Sequence, residues 1–151
     1  MEILKLVLVV FHIVVAAAVL GTSFGWSRLL RSAARSGSPA LRVATEDVYF
    51  RLLILRFASF MTLFTGIGLI FVAGGFAIVP KNYHMALTLM LVAIAWNLFF
   101  IAPKVKALRA LVGAETVNQA ECTRLISKLG MGTGILHAAW VALLVLMYVI
   151  L

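Results

Sequence analysis

Cysteine is nearly absent from this chain: Cys122 stands alone, so no internal disulfide forms and no cysteine pair of metal-binding spacing exists. No glycine-rich phosphate loop and no nucleophile motif occurs either, which excludes much of soluble enzymology. There is no internal repeat, no low-complexity tract and no tail of disordered composition. Charged residues are sparse, at 12% of the chain.

What fills the sequence is apolar. Hydrophobic side chains make up 64% of 151 residues and mean hydropathy is +1.14, where soluble domains hold about half. Such a composition needs lipid as its solvent. Apolar runs over residues 3–26, 51–79, 84–102 and 131–151 each approach or exceed the roughly 20 residues that cross a hydrocarbon core of about 30 Å as helix. The expected fold class is all-α: an integral membrane, up-down-up-down four-helix bundle, one domain over 1–151, with helices extended into the cytoplasm.

Ala16-Ala17-Ala18 imitates a cleavage site after an apolar run. Glu2 and Lys5 precede that run and Arg28, Arg31, Arg35 and Arg42 follow it, the reverse of a secretory signal, so the first span is expected to be retained. The same arginines set the topology, because positive loops stay inside. Arg28 to Arg51 flank the first loop and Lys104 to Lys128 the third, against Lys5 and Lys81 on the other side. Both termini are therefore expected outside, the membrane being the inner or plasma membrane if the cell is bacterial. The net charge of +8 is divided between two loops beside the spans. It reads as topology and contact with anionic headgroups, with the bilayer and not nucleic acid as partner.

Along the chain, Ser27 to Ser36 continues the first helix without a breaker, and Gly37 ends it. Ser38-Pro39 looks like an N-cap followed by proline in the first turn, opening a long second helix that meets no strong break before Gly74-Gly75. Pro80-Lys81-Asn82 makes the outer turn. Pro103 bends or ends the third span, with helix expected to resume through Val112, and a last helix is expected from about Glu115.

Neutral imidazole is the usual protein ligand for haem iron and for several metals. At about 1.5 Å per residue, His12 lies near the middle of its span and His137 about 6 Å inward of the middle of the fourth, depths that one site can accommodate. His84 sits at the outer end of the third and reads as an interfacial side chain. Gly21-x-x-x-Gly25 and Gly130-x-x-x-Gly134 lie at matching depth and suit close helix approach. If those stripes touch, His12 points away from the fourth helix, since nine residues separate it from Gly21 by about half a turn of phase. Each histidine thus has two readings, a ligand or a core residue that donates to a nearby acceptor.

Arg56, Ser59, Thr62 and Gly66 share one face of the second span. Arg56 either snorkels to lipid phosphate or binds an anionic group such as a haem propionate. Asn97 lies at about the depth of His137 and Trp140, so an Asn97–His137 hydrogen bond is the alternative to ligation. Trp26 reads as an interfacial anchor, whereas Trp96 and Trp140 are deep enough to pack the core or a ligand face.

Phe11-His12-Ile13-Val14-Val15-Ala16, leading through Gly21 and Gly25 to Arg28-Leu29-Leu30, resembles the first helix of the small membrane proteins of the HemJ and CopD type. Thr65-Gly66-Ile67-Gly68-Leu69-Ile70-Phe71 is similar to their second span, and His84-Met85-Ala86-Leu87-Thr88 followed by a basic segment to their third. The loop from Arg31 to Ala40 resembles that of uncharacterised integral membrane proteins of about this length, the nearest part of the group. The resemblance implies that His12 is a haem b ligand. It departs from HemJ at Ala86, where that protein has a lysine, at Asn97, where it has a histidine, and around Gly130-Met131-Gly132, where an acidic motif is missing. Haem binding is thus expected without protoporphyrinogen oxidation.

The leading expectation is a haem b protein with His12 as one axial ligand, His137 as candidate for the other, and Arg56, Asn97 and Trp140 around the cofactor. Its work would be electron transfer or redox chemistry with a membrane partner, and whether it is an oxidoreductase stays open. One rival is a cofactor-free assembly subunit that forms homo-oligomers through its glycine stripes. Another is copper handling of the CopD kind, for which Met61, Met85, Met90, Met131 and Met147 show no paired spacing.

Overall fold

Apolar residues with no breaker run from Ile3 almost to Gly25, and the computed structural model, which describes residues 2–148, builds them into α1 (Glu2–Ser23). Residues 149–151 of the expected fourth span lie outside the described residues. The first helix does not run unbroken to Ser36, as its composition suggested. Gly25 takes φ +79°, a left-handed conformation open to glycine at little cost, and α2 (Trp26–Ser36) starts afresh.

The reason is a change of pattern. α1 is apolar on every side, whereas α2 must bury Trp26, Leu30 and Ala33 and present Arg28, Arg31 and Arg35 outward. Turning the chain at Gly25 brings the buried set onto the bundle, with Trp26 only 1% exposed and its Nε1 donating to Thr22 O. Trp26 is thus a core residue and not an interfacial anchor.

Gly37, not Ser38, caps α3 (Ser38–Val72), and Pro39 stands in its first turn where a missing N–H costs nothing. The helix ends at Val72, before the Gly74–Gly75 turn, so residues 73–79 of the expected second span are not helical. After Pro80 comes α4 (Lys81–Trp96), then a π-helical turn (Asn97–Ile101), then α5 (Ala102–Gly113). The helix therefore passes through Pro103 without stopping. Widening the turn to an i−5 bond, Ala102 N to Asn97 O, makes room for a ring that clashes with a normal helical turn. Lys104 Nζ donates to Phe100 O at 3.1 Å and lies 3.4 Å from the centre of the Phe100 ring.

α6 (Gln119–Tyr148) begins four residues later than expected, because Asn118 is the better cap: its Oδ1 accepts from Glu121 N at 3.1 Å. The described residues form no strand, and four helices, Glu2–Ser36 with its bend, Ser38–Val72, Lys81–Gly113 and Gln119–Met147, are long and apolar enough to cross a membrane.

The two ends of the bundle are packed differently. At the basic end, Leu30, Leu41, Leu52, Val105, Leu108 and Leu129 are all essentially inaccessible. Arg109 pairs with Glu46 at 2.7 Å and lies over the Tyr49 ring, while Arg42 Nε donates to Val112 O, so α3 and α5 are tied. Toward the other end the outward surface is apolar, with Ile3 80% and Ile78 70% exposed. The glycine stripes do not meet. Gly21 and Gly134 have nothing within 4 Å of a Cβ position, and Gly130 faces Ser27 and Arg31 of α2. The turn at Gly25 puts α2, not α1, beside Gly130, and α1 lies along α3.

Candidate functional site: a cleft beside His12

α1 runs antiparallel to α3, which sets His12 against Thr65 and Gly66. The imidazole is 8% exposed and its Nδ1 lies 2.8 Å from Thr65 Oγ1. Thr65 Oγ1 gives its own proton to Met61 O at 2.7 Å. With its proton directed there, the hydroxyl accepts from the ring, an arrangement in which Nδ1 carries the proton and Nε2 keeps a lone pair. Gly66 allows this approach: a Cβ there would stand 3.3 Å from His12 Cε1.

Beside the ring is a shallow, half-open cleft whose enclosed part is about 60 Å³, walled by Ala16, Leu63, Ala86, Met90, Trp140 and Leu143. Its other borders include Tyr83 and Met147, toward the end of the bundle remote from the arginines. Trp140 is 3% exposed and its Nε1 has no acceptor among the described residues. An apolar cleft bordered by an imidazole has the make-up of a ligand site. The small residues Ala16, Gly66 and Ala86 keep it open.

The other candidate residues are elsewhere. His137 Nε2 lies 2.8 Å from Ser23 Oγ, which donates to Val19 O, and the ring stacks on Phe24 at 4.8 Å. Ser23 is eleven positions along α1 from His12, a rise of roughly 16 Å. His137 does not line the cleft, and its bond fastens α6 to α1. Asn97, 3% exposed at the head of the π turn, makes no bond to His137, and neither its Nδ2 nor its Oδ1 has a partner among the described residues. Arg56 is half-buried with Nε likewise unpartnered, and it does not line the cleft. Ser59 and Thr62 of its stripe are buried as the spacing implied. His84 lies at the exposed start of α4, its Nε2 donating to Phe76 O at 3.1 Å.

Nothing in the sequence marks Thr65 or Ser23 as the partner of a histidine, and Met90 stands there only among methionines without paired spacing. The nearest signal is that Thr65 stands three positions from Thr62, at the edge of the polar stripe. Among the described residues no three His, Cys, Asp or Glu side chains converge on a point. Comparison with known protein families, with curated proteins and with solved structures finds nothing that matches this chain.

Proposed function

We propose that this chain is a multi-pass membrane protein, both termini outside, that holds one haem b in the cleft through His12 and serves electron transfer or redox chemistry. The observation that carries the reading is the imidazole itself: Nδ1–H engaged by Thr65, Nε2 left with its lone pair beside an apolar cleft. A second-sphere acceptor on one ring nitrogen is the usual partner of a ligating histidine. A porphyrin brings four nitrogens of its own, so one axial donor suffices where the described residues hold no acidic, cysteine or histidine cluster.

When bound, the haem supplies one-electron or oxygen chemistry. The chain's part is to hold and orient it and to exclude water and ions with apolar walls. With His137 engaged elsewhere, ligation by a single histidine favours gas binding or oxidation chemistry over bis-histidine electron transfer. Met90, Met147 and Tyr83 also border the cleft and carry donor atoms for iron. Arg56 has no part at this site.

The test is to purify the protein in detergent from haem-sufficient cells and record oxidised and reduced spectra with a pyridine haemochrome assay. A stoichiometric b-type signal, lost in His12→Ala and kept in His137→Ala, is expected. A colourless, well-folded preparation overturns the reading.

One observation favours a second reading. Met90 and Met147, unrelated by spacing, border the same cleft as His12, and two thioethers with an imidazole suit Cu(I). Stoichiometric copper without porphyrin, lost in Met90→Leu and Met147→Leu, would select copper handling.

A further inference from the structure

α2 begins where the apolar α1 ends, and one side of it is wholly basic. Arg28, Arg31 and Arg35 follow at spacings of three and four, so their side chains share a face. With Ser27 and Ser32 they line an open polar groove of about 360 Å³. No carboxylate borders it: Glu46, Asp47 and Glu121 are each paired with other arginines, and none of the three groove guanidinium groups has an ion-pair partner among the described residues. The first turn of α2 has no side-chain cap, so its N–H groups add to the positive field.

A second feature adjoins the groove. Gly130 of α6 makes room for Arg31, whose Nη2 would stand 3.0 Å from a Cβ at that position. Four residues on, Gly134 is exposed and has nothing within 4 Å of its Cβ position. Three residues further, His137 stacks on Phe24, which is 67% exposed. A cationic groove beside an open apolar surface suits a two-part ligand, an anionic head and a hydrocarbon tail.

We propose that Arg28, Arg31 and Arg35 form a binding site for a phosphate ester, and that its source is the headgroup of an anionic phospholipid whose acyl chain lies over Gly134. Guanidinium forks match phosphate oxygens in pairs, which a diffuse surface charge does not. The site rests on the membrane placement proposed above and not on the cofactor, so a colourless protein leaves it intact.

The experiment measures lipid retention by native mass spectrometry and binding by titration in neutral detergent. The probes are phosphatidylglycerol, phosphatidylcholine and glycerol 3-phosphate. The wild-type protein is expected to bind phosphatidylglycerol at least tenfold more tightly than phosphatidylcholine. R28Q/R31Q/R35Q is expected to lose that preference with its helicity unchanged, while K106Q/K128Q, which removes cations outside the groove, keeps it. Gly134→Leu is expected to weaken the lipid and leave glycerol 3-phosphate unaffected, which identifies the lipid as the source. Equal affinity for glycerol 3-phosphate and phosphatidylglycerol overturns the lipid assignment in favour of a soluble phosphate ester. A triple variant that binds like wild type, or a control that loses as much, overturns the site.

Discussion

The hydroxyl of Thr65 has one proton, and because that proton goes to Met61 O, the oxygen is left to receive the His12 N–H. Thr65→Val keeps the volume and removes the acceptor. A buried N–H left without a partner costs about 1–3 kcal/mol, and loss of a second-sphere partner typically costs about 10- to 100-fold in metal affinity. Thr65→Val is therefore expected to retain haem poorly at wild-type expression, and Thr65→Ser to restore it; haem content per chain in purified protein is the readout. Cys122 makes the opposite case, a residue whose environment silences it. It is wholly buried at the basic end, and burial, followed by the nearby Glu121 charge, pushes its thiol up from the ordinary range. The thiolate is the reactive form, so iodoacetamide is expected to leave Cys122 unmodified at neutral pH and to label it only after unfolding, as intact mass would record.

At the scale of the element, glycines with the same helical spacing have different duties. Gly25 is left-handed and ends α1, so Gly25→Ala forces a side chain into a conformation that costs about 1–2 kcal/mol. Gly132→Ala puts a Cβ 2.8 Å from Phe100, whose ring is held between Trp96 and Lys104 and has little room to retreat. Overpacking of this kind costs about 1–3 kcal/mol. Gly134→Ala meets nothing and gains helix propensity. Thermal unfolding in detergent is expected to rank the Gly25 and Gly132 variants below wild type and the Gly134 variant at or above it. The π turn belongs to the same scale: it absorbs Pro103 without breaking the path from α4 into α5, and it leads with the buried Asn97.

Across the whole molecule, the basic end holds the tightest apolar core, where Leu108 is inaccessible, while the other half turns its large apolar side chains outward. Leu108→Ala is expected to cost about 2–5 kcal/mol, as deletion in a close-packed core does. Phe99→Ala, at a residue 81% exposed, removes no core contact, and its unfolding temperature in detergent is expected to stay near that of wild type. The orientation is tested in a Cys122→Ser background: an impermeant maleimide added to whole cells is expected to reach Lys81→Cys and not Ser36→Cys. Labelling of the second and not the first would invert the proposed topology.

Composition alone determined that this chain is helical and apolar enough to span a membrane four times, because every buried or lipid-facing backbone group must be satisfied within its own helix. The helix partition was nearly as legible, since Gly37, the Gly74–Gly75 pair and Gly113 are local punctuation. What spacing along one helix cannot encode is which neighbour a side chain meets. The placement of His12 against Thr65, His137 against Ser23, and Met90, Met147 and Trp140 around one cleft came from the turn at Gly25 and the antiparallel seating of α1 on α3. These contacts join residues far apart in sequence, and only tertiary packing decides them.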